Sequence, residues 1–200
     1  MGDRRVALVT GANKGIGLEV ARGLASQGAI VFVGARQRPL GEAAAATLQA
    51  EGHDARFIEL DVTRSDQVAA AVDRIQAECG RLDILVNNAA GGLDSVTPSQ
   101  VSEKDFRQTF ETNVIGPFRM IQAMLPLLQK SPSSRIVNVS SDYGSLALNT
   151  DPAMPHAQAI ALPYPVSKAA LNQVTVQFAK EFRGRTSKST ALTLGLPTPT

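Results

Sequence analysis

The chain has 200 residues, 44% hydrophobic and 19% charged, a composition typical of one soluble globular domain. Its 20 basic and 18 acidic residues give a formal net charge of +2, which supplies no whole-chain reason to expect a nucleic acid or a membrane as partner. No signal-like leader and no apolar run of membrane-spanning length is found, so a cytosolic location is the default expectation. The single cysteine, Cys79, and the isolated histidines, His53 and His156, give no reason to expect a metal site.

Apolar runs alternate regularly with helical patterns along the chain. Runs rich in Val, Ile, Leu and Phe predict strands that are buried on both faces: Arg5–Thr10, Ile30–Ala35, Ala55–Leu60, Leu82–Asn87 and Arg135–Ser140. Helices are predicted near Gly15–Gln27, Pro39–Ala50, Ser65–Glu78, Ser102–Gln129 and from Tyr164 to about Phe182. Repeated βα units predict the α/β class, with a doubly wound parallel sheet in a single domain.

A glycine-rich turn, Thr10–Gly17, joins the first strand to the first helix. A helix that begins directly after such a turn presents backbone N–H groups to an anion. Gly11 permits the tight turn, Gly15 lets a pyrophosphate approach the backbone, and Gly17 lets the helix pack closely on the strand. The turn therefore indicates dinucleotide binding, although a βα turn without a ligand stays open at this point.

The end of the second strand indicates which dinucleotide is bound. An acidic residue there usually takes the ribose 2′-hydroxyl, whereas a basic residue accommodates a 2′-phosphate. Here the strand ends at Arg36, with no acidic residue until Glu42, and Lys14 adds a positive charge inside the glycine turn. Both cations are also compatible with a solvated surface, but together they favour NADP over NAD.

The long helical stretch carries an apolar stripe that we interpret as a packing face rather than as a cofactor site. Its members recur mostly at three, four or seven positions: Phe106, Phe110, Phe118, Ile121, Leu125 and Leu128. Ser102 is a candidate N-cap for this helix, with acidic residues in the first turn that suit the helix dipole.

Tyr164 and Lys168 stand four positions apart, one helical turn from each other. A free tyrosine has a pKa of about 10, too high for acid–base catalysis near neutral pH. A neighbouring ammonium group and the positive end of a helix dipole would both stabilise the phenolate and lower that pKa. Pro165 suits the first position of a helix, which would put Tyr164 at the positive end. Alone, this pair is a weak signal, because it occurs often by chance.

Five motifs together resemble the classical short-chain dehydrogenase/reductase family in order and register, over about residues 4 to 183. They are the turn Thr10–Gly17, the run Asn87–Gly91, the Asn113 segment, the run Val137–Ser141 and the Tyr164–Lys168 pair. The turn and an insert before the tyrosine look most like the NADPH-dependent carbonyl reductase branch. The resemblance implies a Rossmann-like catalytic domain with NADP as its cofactor.

The resemblance also implies catalytic roles. Tyr164 would protonate the substrate carbonyl oxygen while hydride arrives from the nicotinamide, and Lys168 would hold the nicotinamide ribose and lower the pKa of the tyrosine. Ser141 would hydrogen-bond the developing alkoxide. Ser140 competes for this role, and the family register favours Ser141. Asn113 would hold a water that links Lys168 to solvent, although outside its motif it reads as an ordinary helical residue.

A cofactor site is implied in the same way. Asp61 and Val62 resemble the pair that contacts adenine, and Asn88 resembles the contact after the fourth strand. Asn87 and Asn88 are equally compatible with satisfying backbone groups where the strand ends. The full set of implied cofactor-binding residues is Gly11, Asn13, Lys14, Gly15, Ile16, Gly17, Arg36, Asp61, Val62, Asn88, Tyr164 and Lys168.

The chain departs from the family pattern in two places. Ser141 and Tyr164 stand 23 positions apart, further than is common, and the extra residues fall in a long Pro-rich loop, Asn149–Pro165. After Phe182 the match weakens: Ala191–Leu194 is a candidate sixth strand, but no residues remain for the family's seventh strand and substrate cover. We therefore expect a sheet without the usual last strand and a divergent or truncated tail from about residue 184 to 200.

Two functions are compatible with these observations. The Ser-Tyr-Lys set predicts an NADP-dependent oxidoreductase that reduces a small aldehyde or ketone, or oxidises the corresponding alcohol. The short C-terminus favours the alternative, an NADP-binding sensor or interaction module with little turnover. Family members often pair through the helices that correspond to Ser102–Gln129 and Pro165–Phe182, but an insert before the tyrosine can obstruct that face. A homo-oligomer and a monomer therefore both stay open.

Overall fold

The computed structural model describes residues 4–92, 96–154, 159–182 and 191–195. Their strands are β1 (Val6–Thr10), β2 (Ile30–Ala35), β3 (Ala55–Glu59), β4 (Ile84–Asn87), β5 (Arg135–Val139) and β6 (Ala191–Gly195). They form one parallel sheet in the order β3-β2-β1-β4-β5-β6. The order reverses between β1 and β4, and such a switch point is where α/β sheets bind ligands. The doubly wound Rossmann-like fold expected from the sequence is confirmed.

Helices connect the strands and cover both faces of the sheet. They are α1 (Gly15–Ser26), α2 (Arg38–Ala50), α3 (Ser65–Cys79), α4 (Glu103–Phe110), α5 (Gly116–Leu128), α6 (Leu146–Thr150) and α7 (Pro163–Phe182). In the described ranges, no helix is both long enough and apolar enough to cross a membrane.

The core lies on both faces of the sheet, because alternate residues of each central strand point in opposite directions. Leu8 of β1 packs in one cluster with Phe32, Leu85 and residues of α3 and α5. Ala7 and Val9 of the same strand belong to a second cluster, with small side chains of α1 and α2. Burial on both faces explains why the strands read as continuous apolar runs.

The stretch predicted as helical, Ser102–Gln129, is helical from Glu103 to Leu128, but it is not a uniform α-helix. A π-helical turn, Glu111–Ile115, separates α4 from α5, and the N–H of Gly116 donates to the carbonyl of Glu111. Gly116 lies against the side chain of Val62, where a Cβ would come within 2.7 Å of Val62 Cγ2. The wider turn is thus accompanied by a tertiary contact that helical periodicity cannot indicate.

The π turn also divides the apolar stripe of this segment. Ile121 and Leu128 on α5 are completely buried, whereas Phe118 is 39% exposed. Phe106 and Phe110 stack on each other within α4, with ring centroids 5.0 Å apart. The stripe is therefore completely buried at Ile121 and Leu128, while Phe118 on the same helix is partly exposed.

β6 occupies one edge of the sheet and pairs with β5 from Arg135 opposite Ala191 to Val139 opposite Gly195. The candidate sixth strand is thus confirmed. Most of the expected divergent tail, residues 184–190 and 196–200, lies outside the described residues.

Candidate active site

The glycine turn leaves the carboxyl end of β1 at the switch point of the sheet. Gly11 has φ +64°, and a Cβ there would lie 2.9 Å from Ala89 Cα, so both conformation and space require glycine. A Cβ on Gly17 would overlap the side chain of Asn88. Gly15 differs, because its φ is +55° but no neighbouring atom lies within 4 Å of the Cβ position. The backbone at Gly15 therefore faces open space.

Thr10 and Asn88 brace this turn. The hydroxyl of Thr10 accepts hydrogen bonds from the N–H groups of Asn88 and Ala89, both at 3.0 Å. The side-chain amide of Asn88 donates to the carbonyls of Thr10 at 3.0 Å and Gly11 at 3.1 Å. Sequence reasoning did not select Thr10 as a site residue, although its place as the first residue of the motif is a usable signal. Asn88 thus supports the turn's backbone, as the alternative interpretation of this residue proposed.

One cation lies inside the turn and a second lies beside it. Lys14 precedes α1 and Arg36 follows β2, and the turn adjoins the end of β2 through a 2.9 Å bond from Ala12 N to the Gly34 carbonyl. Both side chains are exposed, and among the described residues neither makes an ion pair or a side-chain hydrogen bond. By contrast, nearby Arg38 pairs with acidic groups on α2 and β3. Lys14 and Arg36 are therefore uncompensated charges at the site.

The remaining residues of the turn are placed at its surface. Asn13 is half-buried, and the side chain of Ile16 is 55% exposed.

Asp61 and Val62 follow β3 at the same edge of the sheet. The carboxylate of Asp61 accepts hydrogen bonds from the N–H and the hydroxyl of Thr63, at 2.9 and 2.7 Å. Val62 is buried, and its carbonyl accepts a 2.6 Å bond from Arg119, which also pairs with Glu111 at 2.7 Å. This segment is thus tied to the π turn that contains Asn113.

Asn113 is 1% exposed and its side chain is engaged by the protein itself. Its Oδ1 accepts from the N–H of Gly91, and its Nδ2 donates to the Gly91 carbonyl and to the hydroxyl of Ser167, all at 2.9 Å. Ser167 in turn donates to the carbonyl of Tyr164 at 2.7 Å. The side chain of Asn113 therefore fixes the loop after β4 to the first turn of α7.

Tyr164 lies within the first turn of α7 rather than just before it, because the helix begins at Pro163. The hydroxyl of Ser141 lies close enough to the phenol of Tyr164 to lower the pKa of that phenol. Tyr143 presents its ring edge-on to Tyr164, with centroids 6.2 Å apart. The structure thus brings Ser141 and Tyr164 together across the 23 positions that separate them in sequence.

Lys168 lies one turn further along α7 and is 3% exposed. Its ammonium group donates to the carbonyl of Val139 at 2.7 Å and stands 5.4 Å from the centre of the Tyr164 ring. Burial lowers the pKa of Lys168 to about 8.

The pKa of Tyr164 is raised, opposite to the direction expected from the motif. Burial is the main cause, the hydrogen bond from Ser141 partly opposes it, and Tyr143 adds to the rise. The causes of the rise do not include Lys168, whose own charged form is disfavoured by burial.

The two candidate serines have different partners. Ser140 donates its hydroxyl to Oδ1 of Asn172 at 2.5 Å, whereas Ser141 faces Tyr164. Asn172 also donates to the carbonyl of Gly144 at 3.2 Å. Sequence reasoning missed Asn172, because a polar residue in a helix carries no signature of a tertiary contact.

A buried amide network lies beneath the site. Asn87 of β4 donates to Asn138 of β5 at 2.8 Å, and Asn138 donates to Thr175 of α7 at 2.9 Å. Oδ1 of Asn87 is the one buried side-chain oxygen or nitrogen in the described ranges without a hydrogen-bond partner. The network links β4 and β5 to the helix that carries Tyr164 and Lys168.

Comparisons with known proteins agree with this architecture. The sequence profile described as short chain dehydrogenase matches residues 5–196. The NADPH carbonyl reductase 1 of Sus scrofa is 45% identical over 148 residues, which span 72% of this chain and 50% of that protein. The uncharacterized oxidoreductase YxjF of Bacillus subtilis is 43% identical over 142 residues, which span 70% of this chain and 54% of that protein. The chain thus spans about half the length of these curated relatives.

A solved structure has the same fold. It is a metagenomic short-chain oxidoreductase in complex with NADP, with a TM-score of 0.83 and 29% sequence identity. The match covers 98% of this chain and 83% of the other.

Proposed function

The chain belongs to the short-chain dehydrogenase/reductase family and resembles its carbonyl reductase branch, and we propose that it transfers a hydride between NADPH and a carbonyl compound. The substrate class is a small aldehyde or ketone, or in the reverse direction the corresponding alcohol. The observation that carries the proposal is the contact between Ser141 and Tyr164, one helical turn from buried Lys168.

The residues at the switch point fit a phosphorylated dinucleotide. The backbone at Gly15 borders open space at the start of a helix, where N–H groups suit a pyrophosphate. Lys14 and Arg36 supply two uncompensated charges for a 2′-phosphate. The solved relative described above holds NADP, and the pig relative is named for NADPH. These features support NADP rather than NAD as the cofactor.

The remaining proposed contacts lie along the same edge of the sheet. Asp61 and Val62 would border the adenine, and Gly11, Asn13, Ile16 and Gly17 would line the turn. Asn88 would act by holding the carbonyls of Thr10 and Gly11 in place. Val62 and Asn88 are held by bonds within the protein, so this part of the site is already organised.

Each catalytic side chain has a separate task. The cofactor would supply the hydride. Tyr164 would donate its proton to the substrate oxygen, and Ser141 would hydrogen-bond the same oxygen as negative charge develops. Lys168 would hold the nicotinamide ribose, and Asn113 would hold a water that links Lys168 to solvent as a proton relay.

The proposal is tested by binding and turnover together. NADPH fluorescence should rise on addition of the protein at concentrations where NADH gives no response. Absorbance at 340 nm should then fall when aldehydes and ketones are added. Tighter binding of NADH would contradict the cofactor assignment. Binding of NADPH without consumption across a broad carbonyl panel would favour an NADP-binding sensor or interaction module instead.

Self-association is a further part of the proposal. Ile115, Phe118 and Val176 expose 40%, 39% and 37% of their surfaces on the segments that family members often use for pairing. Light scattering of the purified protein measures this directly, and a monomer mass at micromolar concentration would contradict a homo-oligomer. A cytosolic location stays a prediction of the sequence.

A further inference from the structure

We infer that Asn172 is a positioning residue of this site, which holds the turn carrying Ser141 against α7 and so fixes the Ser141 hydroxyl on the phenol of Tyr164. The expected effect of Asn172 on turnover rests on the proposed function. The first test is a titration of Tyr164, which can be carried out without any turnover.

The first observation is a pair of hydrogen bonds made by one amide. Oδ1 of Asn172 accepts the hydroxyl of Ser140 at 2.5 Å, and Nδ2 of Asn172 donates to the carbonyl of Gly144 at 3.2 Å. Ser140 and Gly144 lie on either side of Ser141 in sequence. The amide therefore clamps the turn at both ends, while Ser141 stands between them.

The second observation is the closeness of the turn to the helix. A Cβ on Gly144 would lie 2.9 Å from the backbone carbonyl carbon of Lys168 and 3.0 Å from Nδ2 of Asn172. Only glycine lets the turn approach α7 this closely, and the amide of Asn172 can reach the Gly144 carbonyl at that distance. The same turn is capped internally, because Ser141 accepts from the N–H of Tyr143 at 3.3 Å.

The third observation is the regular spacing along α7. Tyr164, Lys168 and Asn172 recur at four-residue intervals, so they share one helix face. Each contacts the segment from Val139 to Gly144: Tyr164 meets Ser141, Lys168 meets Val139, and Asn172 meets both ends of the turn. Within the described part of the chain, the side chain of Asn172 hydrogen-bonds only to this turn, so it acts on Tyr164 through Ser141.

Loss of the hydrogen bonds made by Asn172 should change the pKa of the Tyr164 phenol. The hydrogen bond from Ser141 opposes the effect of burial on the pKa of Tyr164. The titratable groups that face the phenol are Lys168 from α7 and Tyr143 from the turn, and neither changes when Asn172 is replaced. Loss of Asn172 should therefore raise the pKa of Tyr164 by weakening one bond.

The chain has two tyrosines and no tryptophan, which makes an optical test possible. In a Tyr143→Phe background, absorbance at 295 nm reports the ionisation of Tyr164 alone. Ser141→Ala should raise the midpoint by about half a pH unit, the size expected for the loss of one hydrogen bond. Asn172→Ala should raise it as well, and the double variant should rise no further than Ser141→Ala.

Matched control variants distinguish a positioning role of Asn172 from a general loss of structure. Gln173→Ala, at the exposed neighbouring position of α7, should leave the midpoint unchanged. If Asn172→Ala does not fold by circular dichroism, Ser140→Ala removes the same clamp from the other side and should shift the midpoint in the same direction.

The outcomes are distinct from those that test the proposed function. An unmoved midpoint in Asn172→Ala, or in Ser140→Ala if that variant is needed, would overturn the inference. So would a double variant whose shift is the sum of the single shifts. In an active enzyme, Asn172→Ala should lower kcat at least tenfold with an unchanged KM for NADPH. An inactive wild-type protein would refute the proposed function, and the titration would still decide the role of Asn172.

Discussion

The ammonium group of Lys168 lies 5.4 Å from the ring centre of Tyr164, in surroundings that leave the lysine 3% exposed. Burial shifts the two pKa values in opposite directions, that of Lys168 down to about 8 and that of Tyr164 up. Both shifts favour the uncharged form of the group. Burial of the charged Lys168 ammonium group in the site therefore lowers the stability of the folded protein.

Lys168→Met should stabilise the protein at pH 7. A fall in the lysine pKa from 10.5 to about 8 corresponds to about 3 kcal/mol of destabilisation. Loss of the hydrogen bond to the Val139 carbonyl offsets about 1 kcal/mol of the stability gained. Urea unfolding at pH 7 should therefore give a gain of about 2 kcal/mol, while turnover is lost. Lys180→Met, at an exposed position of α7, should change stability by less than about 0.5 kcal/mol.

The gain from Lys168→Met should depend on pH in a defined direction. Between pH 8 and 10.5 the unfolded chain binds a proton on Lys168 that the folded protein does not, so wild-type stability rises with pH in that interval. Below pH 8 both states are protonated and the penalty is fully present. The difference between variant and wild type should be constant from pH 6 to 8 and shrink above pH 8. A gain that grows above pH 8 would contradict the lowered pKa.

Thr10→Val should destabilise the glycine turn. Thr10 is 1% exposed, and its hydroxyl is the acceptor for the N–H groups of Asn88 and Ala89. Valine has the same shape but leaves both groups unsatisfied, at a cost of about 2–4 kcal/mol. Thermal and urea unfolding check the value. Thr10→Ser keeps the hydroxyl and should lose less than about 1.5 kcal/mol, so an equal loss in both variants would contradict this role.

Gly15→Ala should weaken NADPH binding much more than it weakens the fold. The added methyl group meets no protein atom within 4 Å, so it fills only the space offered to the pyrophosphate. The φ of +55° adds strain of about 1–2 kcal/mol. Fluorescence titration should show at least a tenfold loss of NADPH affinity. Gly23→Ala, also free of neighbours but inside α1, should bind normally, and unchanged binding by Gly15→Ala would exclude the turn as the phosphate site.

The sheet was predictable from the sequence because burial on both faces leaves continuous apolar runs. β2 has the predicted bounds, and the other predicted strands begin or end within two residues of the observed ones. The π-helical turn between α4 and α5 was not predictable from the sequence, and it is accompanied by a contact between Gly116 and Val62, two residues far apart in the chain. Helical periodicity contains no information on such a contact.

The residue types of the site could be predicted from the sequence, but the extent of their burial could not. The motifs identified Tyr164, Lys168 and Ser141 as one catalytic set, and the structure has Ser141 and Lys168 beside Tyr164. The direction of the tyrosine pKa was wrong, because the motif includes the neighbouring charge but not the extent of burial. Thr10 and Asn172 act through bonds to the backbone and to Ser140, which no spacing rule identifies.

The most direct test of the central claim compares wild type with Tyr164→Phe at 340 nm. Both proteins should still bind NADPH by fluorescence, because phenylalanine removes only the hydroxyl and leaves the glycine turn, Lys14 and Arg36 in place. With a carbonyl substrate that the wild type reduces, the variant should lose at least about a hundredfold in kcat, the usual contribution of a general acid. A variant that keeps most of the wild-type rate would contradict the assignment of Tyr164 as the proton donor.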